Sequence, residues 1–163
     1  MSGPGNSSTV LGWREWVAMP ELDVPWIKAK VDTGARSCAI HAFDIEELQG
    51  GLIPLVRFTI HPWQRATDDA VTVIRPILER RTVRSSSGHT EERITVETDV
   101  RILGRTIPVA LTLAARDQMG FRLLIGREAL GQGFLVDPSH SYLGGRPRRA
   151  VRRKNWGHDA TRA

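Results

Sequence analysis

Residues Trp26 to Val31 alternate apolar and basic side chains through Ile27-Lys28-Ala29-Lys30-Val31, then run directly into Asp32-Thr33-Gly34-Ala35. Period-two alternation marks a half-buried strand. Asp, Thr and Gly all favour turns, so the chain leaves its sheet here on a tight turn that carries a carboxylate. Gly34 lets backbone N–H groups approach that carboxylate more closely than a residue with a side chain would. Ala35 is small and leaves the floor beside the turn open. Thr33 offers a hydroxyl able to lock the turn across an interface between two copies. An ordinary turn is the plain alternative. The tetrapeptide occurs once. Two adjacent carboxylates can share a proton because they cannot both ionise; if this aspartate works in such a pair, one chain supplies half of it.

The rest of the chain reads as short strands punctuated by turns. Val10 to Val17 is a strand candidate that turns at Pro20-Glu21-Leu22-Asp23 into Trp26 to Val31. Ala39 to Phe43 is expected as a strand, with Asp44 to Leu48 a turn or short helical piece before Gly50-Gly51. Leu55 to Ile60 and Val71 to Ile74 are parted by a polar loop containing Thr67-Asp68-Asp69. Thr82 to Arg84 and Glu92 to Val96 flank Ser85-Ser86-Ser87-Gly88-His89, and Val100 to Leu103 and Ile107 to Leu113 flank Gly104-Arg105, two hairpin signals. Leu123-Leu124-Ile125 is a buried strand that stops at Gly126, Arg127 to Leu130 starts a short helix that stops at Gly131, and Phe134 to Asp137 is the last strand. Low helical content with recurring short strands predicts an all-β fold, a small barrel or sandwich.

Composition bounds what this domain does. A chain of 163 residues with 40% hydrophobic and 25% charged residues is one globular domain. No run approaches the ~18 apolar residues that span a bilayer. Met1 to Thr9 is small and polar, without the basic start and apolar stretch of a secretory signal, and reads as a disordered lead. A cytoplasmic protein with no membrane partner is the expectation. Cys38 is the single cysteine, so no intrachain disulfide forms, and a buried structural thiol is its favoured reading. The net charge of +5 is concentrated: from Gly144 onward seven basic residues meet only Asp159, and residues 1–143 carry a net −1. Residues 144–163 therefore read as a basic, poorly ordered tail, either merely solvated or docking an acidic or ribosomal partner by counterion release.

A second element complements the aspartate turn. Leu123-Leu124-Ile125-Gly126-Arg127 is an apolar run followed by a glycine, which lets a strand pass tightly beneath a loop. The order strand, Asp-Thr-Gly-Ala, hairpin, then Leu-Ile-Gly-Arg into a short helix resembles a subunit of a retropepsin-type aspartic protease. More narrowly, Gly12 to Val17, Lys28 to Arg36, Ser87-Gly88-His89 and Glu91-Glu92-Arg93 resemble a bacterial and archaeal family. That family is often labelled ATP-dependent zinc protease and linked to the ATP-grasp ligase that adds glutamates to a ribosomal protein. The resemblance covers roughly residues 10–143, leaving 1–9 as lead and 144–163 as tail. It implies a closed β-barrel homodimer with one short helix after Gly126, hydrolysing peptide bonds of a peptide or protein substrate through one Asp32 from each subunit. Asp32, Thr33 and Gly34 would form the catalytic loop. Ala35 would border the substrate, as would Ser87, Gly88 and His89 at the tip of a flap over Ser85 to Thr90. Ile125, Gly126 and Arg127 would support the loop. Cys38 stands where that family more usually has a small hydroxyl residue, and the flap is more polar than in viral retropepsins.

The residues argue against the rest of that label. The histidines His41, His61, His89, His140 and His158 form no His-Glu-x-x-His motif, and no phosphate-binding Gly-x-x-x-x-Gly-Lys loop is present, so neither a metal nor a nucleotide cofactor is expected. Cys38 and His41 alone have a ligand-like spacing, and a zinc-dependent peptidase built on them is one alternative. A non-catalytic binding module is the other. A Ser-His-Asp arrangement lacks the Gly-x-Ser-x-Gly elbow. The tryptophans Trp13, Trp16, Trp26, Trp63 and Trp156 read as core or dimer-surface residues rather than base-stacking platforms, because basic residues do not interleave with them.

Overall fold

A computed structural model describes residues 8–84, 87–115 and 120–157. Eleven strands account for most of the described chain: β1 (Thr9–Leu11), β2 (Arg14–Met19), β3 (Val24–Val31), β4 (Cys38–Leu48), β5 (Leu55–Ile60), β6 (Val71–Pro76), β7 (Glu79–Arg84), β8 (Thr90–Ile102), β9 (Arg105–Ala114), β10 (Leu123–Ile125) and β11 (Phe134–Val136). Two single α-helical turns, α1 (Arg127–Leu130) and α2 (Arg149–Arg152), and two 3-10 turns, Pro20–Leu22 and Arg153–Trp156, accompany them. Hydrogen bonding runs β10-β3-β2-β8-β9-β4, and β4 pairs back to β10, so six strands close into a barrel. The sandwich alternative is thereby set aside. Strands β5 and β6 extend the sheet from β4, and β7 lies on β8. No helix is long and apolar enough to cross a membrane among the described residues.

Alternation decides which side chains fill the barrel. Ile27, Ala29 and Val31 of β3, Cys38, Ile40 and Ala42 of β4, Val96 and Val100 of β8, and Leu111 and Leu113 of β9 are buried in one apolar cluster. The β8–β9 hairpin turns on Leu103 and Gly104, both with positive φ (48° and 78°), the two-residue geometry that matches strand twist.

Four stretches differ from the sequence expectation. The strand expected over Val10 to Val17 is two strands, broken at Gly12, where a Cβ would stand 2.4 Å from the His140 carbonyl oxygen. The expected lead ends early: Thr9 begins β1 and pairs with Phe134 of β11, while residues 1–7 lie outside the described set. Asp44 to Leu48 is strand rather than turn or helix. Asp44 takes a positive φ of 51°, the register shifts between Phe43 and Glu46, and the strand resumes against β5 with Glu47 opposite Val56. This is a bulge, and a bulge shows no periodic signature of its own.

The fourth is the tail. Residues 144–157 are folded onto the barrel instead of extending from it. The Glu15 carboxylate, fully buried, accepts hydrogen bonds from the backbone N–H groups of Gly12 (2.7 Å), Leu143 (3.1 Å) and Gly144 (3.0 Å). Further along, Lys154 pairs with Asp69 at 2.7 Å, and the Asn155 side chain both donates to Gln64 Oε1 and accepts from the Gln64 N–H, each at 2.8 Å. A basic run is soluble wherever it lies, so charge alone does not reveal which side chains find partners.

Candidate active site

The end of β3 and the start of α1 are built as one unit. Asp32 N–H donates to the Ile125 carbonyl at 2.9 Å, continuing the parallel β3–β10 pairing by one residue. Gly34 N–H donates to Asp32 Oδ1 at 2.9 Å, which orients the carboxylate over its own turn. Ala35 N–H donates to the Asp32 carbonyl at 3.2 Å and closes that turn. The first N–H groups of a helix have no partner within it. Here Arg127 N–H donates to the Ala35 carbonyl (2.8 Å) and Glu128 N–H to the Arg36 carbonyl (2.9 Å), so α1 is capped by the aspartate loop.

Gly126 makes that capping possible. A Cβ on it would lie 2.4 Å from the Ser37 carbonyl oxygen and 2.9 Å from that of Ala35. Arg127 adds a side-chain tie, its Nη1 donating to the Thr33 carbonyl at 3.0 Å. Ile125 is fully buried in the barrel. The three residues expected to support the loop thus all lie against it. Asp32 is partly exposed, and Thr33 and Gly34 are exposed. Among the described residues no second carboxylate hydrogen-bonds to Asp32.

The flap candidate is the tip between β7 and β8. Ser87, Gly88 and His89 are exposed there, with Gly88 at φ +85°, whereas Ser85 and Ser86 fall outside the described residues. A link from this hairpin to the aspartate loop runs through Arg81 of β7. Glu128 lies 3.7 Å from Arg81 and 3.4 Å from Arg36 of the loop. Sequence reasoning missed this bridge, since two arginines and a glutamate nearly fifty residues apart carry no local signal.

Cys38 lies on the inner face of β4, 1% exposed, and its Sγ accepts the Gly126 N–H at 3.4 Å. Burial pushes its thiol up to about 11, so it is neither a ready nucleophile nor a ready metal ligand. His41, three residues on, is on the opposite face of the strand. Its Nδ1 accepts from Arg122 at 2.8 Å and its ring lies 4.3 Å from that of Phe43. The pair with ligand-like spacing is therefore not brought together, and no group of three or more candidate ligands is found among the described residues. Ser139, His140 and Asp137 do meet, but as a turn. The Ser139 N–H and hydroxyl both donate to Asp137 Oδ1 (2.9 and 2.5 Å), and His140 Nδ1 lies 2.9 Å from Asp137 Oδ2 and 3.0 Å from the Ser139 hydroxyl, all within four residues of one exposed turn.

A closed six-stranded barrel, with an aspartate loop at the end of one strand and a glycine-ended strand beneath it, defines the chain as a protein of aspartic-protease-like, retropepsin type. It belongs to the RimB-like family, described as retropepsin-like aspartic endopeptidase RimB, whose sequence model matches residues 10–147. Curated relatives include proteins named probable alpha-L-glutamate ligase from Shewanella pealeana, 41% identical over 133 residues, and Desulfotalea psychrophila, 38% identical over 130 residues. The matches cover 82% and 80% of this chain but only 29% and 28% of those proteins. The chain thus spans less than a third of the curated relatives, and the ligase name belongs to those longer proteins. A crystal structure of a Legionella pneumophila protein of unknown function superposes with a TM-score of 0.70 at 22% identity, covering 85% of this chain and 99% of that one. That likeness is one of fold.

Proposed function

We propose that this domain is an aspartic endopeptidase that hydrolyses peptide bonds as a homodimer, each subunit contributing Asp32. The observation that carries the reading is a single, partly exposed carboxylate, oriented by the Gly34 N–H at 2.9 Å, with no second carboxylate hydrogen-bonded to it among the described residues. A water held between two such groups is activated when the ionised aspartate takes its proton. The protonated partner donates to the scissile carbonyl, giving a tetrahedral diol. Return of a proton to the amide nitrogen then releases the amine. Thr33 braces the dimer contact, Ala35 borders the substrate, and Ser87, Gly88 and His89 cover it. This scheme uses no metal and no nucleotide, and its setting is the cytoplasm, in keeping with a lone buried thiol.

The relatives' ligase names support a partner bearing added glutamates, and the basic residues beyond Gly144 suit such an acidic or ribosomal partner. The test is cleavage of a peptide library by wild type and by Asp32→Asn at equal concentration, with and without chelator. Cleavage by wild type alone, unaffected by chelator, is expected. Equal cleavage by both proteins would remove Asp32 from the chemistry, and loss of activity with chelator would favour the metal route.

A further inference from the structure

Lys28 of β3 lies on the outer side of the barrel, where alternation leads one to expect a solvated lysine. It is only 8% exposed. The folded segment from Tyr142 to Trp156 covers it and, with Trp16, forms a partly open pocket of about 90 Å³ that Lys28 lines together with Arg146, Arg152 and Asn155. None of the lining residues is acidic.

The ammonium has aromatic neighbours but, among the described residues, no carboxylate partner. Its Nζ lies 5.3 Å from the Phe121 ring centroid and 5.7 Å from that of Trp156. More cations stand around it. Arg14 stacks on Trp13 and Tyr142 (4.5 and 4.7 Å), Arg146 lies over Tyr142 and Arg65 over Trp156 (both 5.7 Å). Glu15 is engaged by three backbone N–H groups, and Asp69 by Lys154 and the Trp63 indole. Burial first, then Arg14 and Arg65, lower the pKa of Lys28. A buried cation among like charges is costly unless an opposite charge joins it.

We propose that this pocket binds one compact oxyanion, a carboxylate or a phosphate group, through Lys28, Arg146 and Arg152. Its small volume suits a compact group of that kind. The rings of Trp16, Tyr142 and Trp156 accommodate a short apolar stem, so the group can be free or carried on a larger molecule. The site is built from the barrel and the basic segment together, and it does not depend on Asp32 being catalytic.

The test is thermal unfolding and calorimetric titration of the full chain with inorganic phosphate and, separately, acetate, each against chloride at equal ionic strength. At least one anion is expected to bind at one site per chain and to raise the melting temperature by several degrees. Binding of phosphate alone, of acetate alone or of both identifies which group the site takes. Lys28→Met should abolish the response and melt higher than wild type in chloride, because an unpaired cation is gone. Arg146→Gln should weaken binding about tenfold, the loss of one charge-assisted contact. If neither anion binds better than chloride, or if Lys28→Met responds like wild type, the proposal fails. Should Lys28→Met not fold, Arg146→Gln with Arg152→Gln decides the same question: unchanged binding overturns the site.

Discussion

Gly126 and Ser37 pass so closely that a Cβ on the glycine would stand 2.4 Å from the Ser37 carbonyl oxygen. That contact joins the strand beneath the aspartate loop to the segment returning from it. Because the obstruction is backbone rather than a flexible side chain, it yields only if the loop itself shifts.

Gly126→Ala is therefore expected to destabilise the domain by on the order of 2 kcal/mol or more, the cost of overpacking a rigid site. It should also displace Asp32, whose N–H is bonded to the neighbouring Ile125 carbonyl. Denaturant unfolding measures the first effect, and peptide cleavage at a temperature where the variant is still folded measures the second.

If activity needs one Asp32 from each of two chains, an inactive subunit poisons an active one. Refolding wild type with a tenfold excess of Asp32→Asn should leave roughly one-eleventh of the wild-type activity, the fraction of wild-type subunits that find each other. Undiminished activity would show that a single chain suffices. The substitution keeps an oxygen to accept the Gly34 N–H, so the melting temperature should stay close to that of wild type.

Cys38 gives the stability a distinct alkaline limb. Its thiol, ordinarily titrating near 9.0, is pushed up to about 11 by burial in the fold. Between these values the unfolded chain ionises and the folded one does not. The stabilisation is complete below pH 9.0 and is lost as pH rises toward about 11, with a slope of up to ~1.4 kcal/mol per pH unit. Cys38→Ala should flatten that limb in denaturant titrations. A thiol reagent at neutral pH should label wild type only after unfolding.

Glu15 pins the basic segment to the barrel through three backbone N–H donors. A glutamine turns one carboxylate oxygen into a donor facing donors. Glu15→Gln is expected to cost about 3 kcal/mol, the range for hydrogen bonds to a charged group. Trypsin should then cut among the arginines after Gly144 faster than in wild type, as followed by mass spectrometry.

Much of the architecture was legible because strand signals are local. Ile27, Ala29 and Val31 announce an inward face by alternation, and Leu103 and Gly104 occupy the tight turn that Gly104-Arg105 signalled. The bulge at Asp44 was not legible, since a single left-handed residue inside a strand looks like a turn. Nor was the fate of residues 144–157, whose ordering depends on Glu15, Gln64 and Asp69, all distant in sequence. At the site, the motifs pointed to Asp32 and Gly126 separately. The Arg36–Glu128–Arg81 bridge had no counterpart in any motif.

The sequence by itself determined an all-β chain with one aspartate turn and one glycine-ended strand, because alternation, turn residues and motif order act over a few neighbours. Only the tertiary structure decided that β10 closes the barrel against both β3 and β4, and that the loop of Asp32 caps α1. It alone also decided that Lys28 is buried under a segment that composition marked as solvated. Those outcomes rest on hydrogen bonds and contacts between residues far apart in the chain, which local pattern does not encode.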